Sequence, residues 1–393
     1  MVAEAPLYLD ACATTPLAQV AHEAMEAARQ LAWANPSSLH GFGLAAAESL
    51  ERSRHSLASS LGTDAEAIRF CSGATESVHL ALLGAAATLP VGRLLISAVE
   101  HPAVNAAAAQ LQRQGWQVEP IPVSPTGLLD LGVLESLLHP PTRLVSVIAA
   151  QSEVGSIQPL TTIAQLCRQA GVLLHTDAVQ LAPHRPIAMD ELGLDLVSLS
   201  AHKLGGPRGV GALLVRPGLR LEPLLGGGGQ ERGLRAGTEP VVLAAGFAAA
   251  LAAARRHQLD GTSQRLEASR DHLLRDLLAL PGVRLSGPDP TRQPRLPHHI
   301  SLLLSDGQGR PLDGRKLVRA LWHEGVAVSS GSACSGGSGR AEPSPVLLAM
   351  GWDRSQAASG LRLSLGSWLE ASQLERVPQA LERAMASCGA AAP

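Results

Sequence analysis

The chain has 393 residues, of which 46% are hydrophobic, with 32 Lys+Arg against 34 Asp+Glu and a formal net charge of −2. That length and apolar share support a large core in roughly two to three structural units. The near-zero charge and the scarcity of aromatics (one Tyr, three Phe, five Trp) argue against a nucleic-acid surface or an anionic-membrane surface.

In chain order, Met1 to Asp10 holds no apolar stretch of signal-peptide length. From residue 67 onward, short apolar runs alternate with helical stretches. Strands are predicted at Ala67–Phe70, Arg93–Ser97, Leu144–Ile148, Val172–His175, Leu196–Leu199 and Gly211–Val215. Helices are predicted at Thr75–Ala87, Val104–Gln114 and Leu160–Ala170. This alternation is the pattern of an α/β fold with a mostly parallel sheet wrapped by helices. Leu224–Gly237 is rich in glycine and reads as an exposed loop, followed by helices over Val241–His257 and Ser263–Leu280. The apolar run Val241–Ala254 is shorter than a membrane span. Past Pro281, short strands at Val283–Leu285, His299–Leu304, Val326–Ser329 and Leu361–Leu365 alternate with helices. We therefore expect a large unit over 15–258 and a smaller α+β unit formed by 1–14 and 259–393.

The chain holds only two lysines, and one of them, Lys203, sits in Ser-Ala-His-Lys-Leu-Gly-Gly-Pro. Arginine stays charged and cannot act as an amine nucleophile, so a lysine kept there suggests covalent chemistry with a carbonyl compound or with pyridoxal phosphate. A leftover surface lysine is the competing reading. Gly73-Ala74-Thr75-Glu76 follows a strand and opens a helix, a place where free N–H groups receive phosphate, or merely an ordinary helix start. His175 and Asp177 stand at the carboxyl end of a strand, the edge where α/β sheets place ligands. Asp177 can keep a pyridine nitrogen protonated. A metal reading of the pair lacks a third ligand at local spacing. His101, in Glu100-His-Pro, can stack on a ring or shuttle a proton, or be structural. Arg362, inside an apolar strand, suits a substrate carboxylate or a water-facing edge.

The five cysteines are scattered, with no C-x-x-C pair, which points to a reducing compartment without a disulfide frame or structural zinc. Cys334 lies in a run of Ser and Gly, a loop over about 329–342 expected to be exposed and mobile, as a travelling nucleophilic thiol requires. An incidental cysteine in a linker is the bland alternative. Cys12, Cys71, Cys167 and Cys388 read as packing residues.

Taken together, these segments resemble the cysteine desulfurases, pyridoxal-phosphate enzymes of the class V aminotransferase group with fold type I. The resemblance runs through Tyr8-Leu-Asp-x-x-Ala-Thr-Thr-Pro16, Asn35-Pro-Ser-Ser-x-His40, Ser72-Gly-Ala-Thr-Glu-Ser77, Glu100-His101 and His175-Thr-Asp-Ala-Val-Gln180. It continues through Ser200-Ala-His-Lys203, Gln230-Glu-Arg-Gly-Leu-Arg-Ala-Gly-Thr238, Ser332-Ala-Cys334, Glu342-Pro343 and Arg362-x-Ser-Leu-Gly366. It implies that Lys203 carries pyridoxal 5′-phosphate covalently, Asp177 pairs with the ring nitrogen, Gln180 bonds the ring oxygen and His101 stacks and handles protons. Ala74, Thr75, Ser200 and His202 would hold the phosphate, with Thr238 reaching it from the other subunit of a homodimer. Arg362 would grip the carboxylate of L-cysteine. Cys334 would take the substrate sulfur as a persulfide, release alanine and pass the sulfur to an acceptor, such as an iron–sulfur scaffold protein or a route to tRNA thiolation. The resemblance implies no resident metal, though Cys334 could ligate an iron–sulfur cluster transiently. A cytoplasmic protein that contacts neither membrane nor nucleic acid directly is expected. The Ser-Gly-Ser-Ala-Cys run is similar to the subgroup with a long cysteine loop.

The chain departs from the family at Gln151-Ser152-Glu153, where Asn-Asn-Glu is usual, so Ser152 takes the place of an Asn that bonds the cofactor's phenolic oxygen. His79 and Ala11 replace two further asparagines, and seven residues separate Cys334 from Glu342, a wider spacing than usual. Other class V chemistries (an aminotransferase, a selenocysteine lyase or a C–S lyase) and a non-catalytic scaffold are the alternatives.

Overall fold

The computed structural model describes residues 5–331 and 343–389. Its strands are β1 (Leu7–Tyr8), β2 (Ile68–Cys71), β3 (Arg93–Ser97), β4 (Gln117–Ile121), β5 (Thr142–Ile148), β6 (Leu173–Asp177), β7 (Leu196–Ser200), β8 (Gly211–Val215), β9 (Val283–Leu285), β10 (His299–Leu304), β11 (Val326–Ala327) and β12 (Gly360–Ser364). A seven-stranded sheet runs β2-β8-β7-β6-β5-β3-β4. Strands β3 to β7 pair in parallel, and β8 runs antiparallel to both β7 and β2. The mostly parallel α/β fold expected from the alternation is therefore present.

Side chains alternate across this sheet with period two. Val197, Leu199, Ala212 and Leu214 face the helices Gly41–Leu61, Leu160–Gln169 and Val241–Leu259. Leu196, Leu213 and Val215 face the helices Ala74–Ala86 and Pro102–Arg113. Both faces are covered, which is why these strands are continuously apolar rather than alternating with polar residues. Strand β4 was absent from the sequence reading. It is an edge strand with mixed exposure and a proline at position 120, so the apolar signal of a buried strand is missing.

A second sheet, β12-β10-β9, is antiparallel, and β1 pairs with β11 in a separate parallel ribbon. Leu7 and Leu9 pack in one cluster with Leu302, Leu317, Leu363 and Leu381. The amino-terminal strap is thereby built into the carboxy-terminal half of the chain. From β3 the chain steps outward to β4, then returns past β3 to β5 and continues through β6 to β7. The strand order reverses between β3 and β5, and a crevice opens there at the carboxyl ends of the strands.

Candidate active site

A cavity of about 660 Å³ occupies that crevice. It is lined by Ala74, Thr75, His101, Ser152, Asp177, Gln180, Ser200, His202, Lys203 and Arg362, so nearly every residue singled out in the sequence converges on one place. Most arrive from the end of a strand. His101 follows β3, Ser152 follows β5, Asp177 closes β6, and Ser200 closes β7 just before Lys203. Two expected residues are not in this lining. Thr238 is exposed on the glycine-rich loop, and Cys334 lies outside the described residues.

Asp177 is buried, and its Oδ1 accepts from the Val179 N–H at 3.0 Å. Burial raises its pKa, while His101, that N–H and Lys203 pull the other way. A carboxylate held this way calls for a cationic or N–H partner from the cavity. Glu100 is the neighbouring buried acid. Its Oε1 accepts from the Ile148 N–H at 2.7 Å, and its Oε2 has no hydrogen-bond partner. Burial first, then the Asp177 charge, push the Glu100 carboxyl well above its ordinary range. The Asp177 charge thus opposes ionisation of Glu100.

His101 caps the helix Pro102–Arg113, with Nδ1 accepting from the Ala103 N–H at 3.1 Å. That bond leaves the ring proton of the neutral form on Nε2. Desolvation lowers its pKa, Asp177 opposes this, and Lys203 adds to it. Burial likewise lowers the Lys203 amine, which donates to the carbonyls of Cys12 at 2.6 Å and Ala13 at 2.7 Å. The surface-lysine reading is therefore wrong. Gln180 donates from Nε2 to the same Cys12 carbonyl at 3.0 Å. His202 contacts the Thr14 hydroxyl through Nδ1 at 3.1 Å, and burial lowers its pKa to about 4.

The helix Ala74–Ala86 points its amino end at the cavity. A Cβ at Gly211 would stand 2.8 Å from the Gly73 backbone, so only glycine lets β8 approach this turn so closely. Glu76 accepts from the Ser72 N–H at 2.7 Å and from Arg235 at 3.0 Å. The free N–H groups of the first turn, with the Thr75 and Ser200 hydroxyls, form a cradle fit for a phosphate.

Arg362 lies on the edge strand β12 yet is 9% exposed, so it does not face water. Its Nη2 donates to Asp10 Oδ1 at 2.7 Å and its Nη1 to the Ser152 carbonyl at 3.3 Å, while Nε has no partner. Asp10 is thus a counter-ion with which any incoming carboxylate must compete. Glu153 also lines the cavity and accepts from the Ser344 hydroxyl at 2.5 Å. Burial raises its pKa to about 7, against the pull of Ser344 and Arg362.

His175 is not a site residue. Its Nδ1 meets the Ser146 hydroxyl at 2.8 Å and its Nε2 the Ser198 hydroxyl at 2.9 Å, and burial lowers its pKa to about 3. Among the described residues, no group of His, Cys, Asp and Glu could hold a metal. Nor is any described helix long and apolar enough to cross a membrane. Cys71 and Cys167 pack in the apolar clusters as expected. Cys12 does not. It lines the cavity, and its thiol lies 3.2 Å from His298 Nε2. Asp10, Glu153 and His298 were likewise missed in the sequence. Their partners lie 352, 191 and 286 positions away, so no local pattern announces the pairing.

The residues present fit pyridoxal phosphate: an amine, a buried acid for a ring nitrogen, an imidazole at the mouth and an anion cradle, all in one cavity. The aminotransferase class-V sequence profile matches residues 7–377. The chain belongs to the aminotransferase class-V family. Cysteine desulfurase IscS of Dictyoglomus turgidum is 37% identical over 380 residues, covering 96% of this chain and 94% of that protein. Human cysteine desulfurase is 36% identical, covering 94% and 79%. Among solved structures, a NifS-like protein superposes with a TM-score of 0.87 at 32% identity, covering 97% of this chain and 99% of the other. SspA in complex with cysteine gives a TM-score of 0.79 at 29% identity, covering 93% and 100%. The fold is that of the fold type I pyridoxal-phosphate enzymes.

Proposed function

We propose that this protein is a pyridoxal 5′-phosphate-dependent L-cysteine desulfurase. One observation carries the reading: Lys203, Asp177, His101 and Arg362 line a single cavity in a chain 37% identical to a cysteine desulfurase. Bound there, pyridoxal phosphate supplies an electron sink for charge developing at the substrate α-carbon. The protein's own residues do the rest. Lys203, its pKa lowered by burial, offers an amine ready to bond a carbonyl carbon. Asp177 would hold the ring nitrogen, and Gln180 and Ser152 would bond the ring oxygen. Ala74, Thr75, Ser200 and His202 receive the phosphate. His101, with its Nδ1 engaged by the Ala103 N–H, would face the ring and move protons through Nε2. Arg362 takes the L-cysteine carboxylate in exchange for Asp10.

In this reading Cys334 attacks the substrate sulfur as a thiolate. A sulfur–sulfur bond forms, the carbon–sulfur bond breaks, and alanine leaves once its carbon is protonated. The persulfide then passes to an acceptor protein, for which an iron–sulfur scaffold is the fitting class. Thr238 serves the phosphate of a second copy, so the enzyme works as a homodimer. The exposure of Thr238 and of the apolar side chains Leu31, Trp33, Leu39 and Phe42 supports this. We read residues 15–258 as the cofactor-binding unit and 1–14 with 259–393 as the smaller unit. The free cysteines Cys12, Cys71, Cys167 and Cys388 support a reducing, cytoplasmic setting.

The test is sulfide and alanine release from L-cysteine by the purified protein loaded with pyridoxal phosphate. Cys334→Ala is expected to abolish sulfide turnover while leaving the visible absorbance of the bound cofactor intact. Lys203→Ala is expected to lose both. Full sulfide turnover in Cys334→Ala would refute the persulfide route.

A further inference from the structure

The strap that receives Lys203 has no regular secondary structure of its own around Cys12. Besides backbone bonds such as Ala11 N–H to the Ser364 carbonyl at 3.1 Å, two contacts of Cys12 itself hold it. The Cys12 N–H donates to the Ser364 hydroxyl at 2.8 Å, and the Cys12 thiol lies 3.2 Å from His298 Nε2. Its carbonyl points the other way and accepts from Lys203 at 2.6 Å and from Gln180 at 3.0 Å. Position 12 is thus clamped on one side by the carboxy-terminal sheet and presents an acceptor to the lysine on the other.

The clamp is rigid. Cys12 and His298 are each 2% exposed. The His298 ring stacks on His184 with centroids 4.0 Å apart, and its Nδ1 has no partner. The thiol contact is therefore the only hydrogen bond of this imidazole among the described residues. Both groups are neutral: burial raises the thiol and lowers His298 well below the usual imidazole range. The thiol and Nε2 then share one hydrogen bond, whose direction the imidazole tautomer sets.

We propose that Cys12 is a positioning residue for Lys203: its thiol, held by His298, aims its carbonyl at the lysine amine and gives that amine a fixed rest position when it is free. The inference rests on the reading of Lys203 as the cofactor-bearing amine. Such an amine is set free whenever substrate takes its place, and it must return to the same geometry. The Cys12 and Ala13 carbonyls favour the ammonium form at rest. The titratable and charged groups facing Lys203 are the Cys12 thiol, Asp10 and Asp177, whose negative forms favour its charge, Arg362, which opposes it, and the imidazoles of His101 and His202.

The two lysines make the test direct. Cofactor-free protein labelled with ¹³C at the lysine ε-carbons gives two signals, and Lys316→Arg identifies the one from Lys203. In Cys12→Ala the carbonyl loses its aim. The Lys203 midpoint is expected to fall by the equivalent of about a threefold weaker proton affinity, while the Lys316 signal stays put. Cys12→Ser, whose hydroxyl can donate to or accept from Nε2, restores the midpoint. His298→Asn, approaching from the opposite side, displaces it as Cys12→Ala does, and serves should Cys12→Ala fail to fold. An unmoved midpoint in the folded variants, or a Cys12→Ser as displaced as Cys12→Ala, overturns the proposal. The titration needs no cofactor, so the two ideas fail separately. Coupling in a protein that never takes up pyridoxal phosphate sinks the functional reading alone. An active, coloured enzyme without coupling sinks this one alone.

Discussion

Glu231 anchors the glycine-rich loop, and its removal has a cost that can be worked out. Its side chain is 1% exposed and that of Arg54 5%, with bonds of 2.8 Å from each guanidinium nitrogen to a separate carboxylate oxygen. The Phe70 N–H also donates to Glu231 at 2.7 Å. Arg54 has one further anion, Glu51 at 3.0 Å, but that side chain is 49% exposed and is screened by water. Glu231→Gln keeps the size, removes the charge and turns an amide donor toward a guanidinium that can only donate. Leaving one charge of a buried pair uncompensated costs about 3–5 kcal/mol. Glu231→Ala adds an orphaned Phe70 N–H, worth about 1–3 kcal/mol. The double change Arg54→Met with Glu231→Leu is expected to recover most of the loss, since an apolar pair of similar volume needs no desolvation. Urea unfolding of the four proteins measures this, with the slope checked for constancy. Limited proteolysis between Leu224 and Thr238 reports whether the loop has come free. A Glu231→Gln variant within about 1 kcal/mol of the parent would refute the account, because the penalty for an uncompensated buried charge leaves no room for so small a loss.

Three further outcomes are expected. Burial holds Glu153 at about 7 rather than its ordinary 4.5, so the folded protein keeps a proton that the unfolded chain releases, and stability falls as pH rises from about 4.5 to about 7. Glu153→Gln removes that dependence and should gain on the parent between pH 5 and pH 8 by at most about 3 kcal/mol; thermal melts at the two pH values check it, and an advantage that does not grow with pH contradicts it. Arg362→Lys loses the fork that suits a carboxylate, so kcat/KM for L-cysteine should fall about 10- to 100-fold, mainly through KM, in steady-state sulfide release. Gly155 has φ +75°, and a Cβ there would sit 2.7 Å from His299 Nδ1. Gly155→Ala should cost more than about 2 kcal/mol in denaturant unfolding, since the left-handed backbone alone accounts for about 1–2 kcal/mol.

Much of the fold was legible because its signals are local. Apolar runs such as Leu196–Leu199 and Gly211–Val215 mark strands covered on both faces, and the helix at Ala74 begins where its glycine turn says it should. Strand β4 was not legible, because an edge strand carries no such run. The site was legible where the chemistry sits in short segments at strand ends, as with Asp177, His101 and Lys203. It was misread at Cys12, which looks like any buried small hydrophobe until His298 is placed against it.

By itself, the sequence determined the α/β class, the family resemblance and the candidate amine, acid and imidazole, because neighbouring residues spell out strand, turn and helix. Only the tertiary structure decided that Arg362 is paired with Asp10, that the Glu100 carboxyl is raised beside Asp177, and that Cys12 and His298 stand behind Lys203. The physical reason is separation along the chain. The amino-terminal strap packs into the carboxy-terminal sheet, so Asp10 and Arg362 meet across 352 positions. Their charges and burial are set by contacts that no local pattern records.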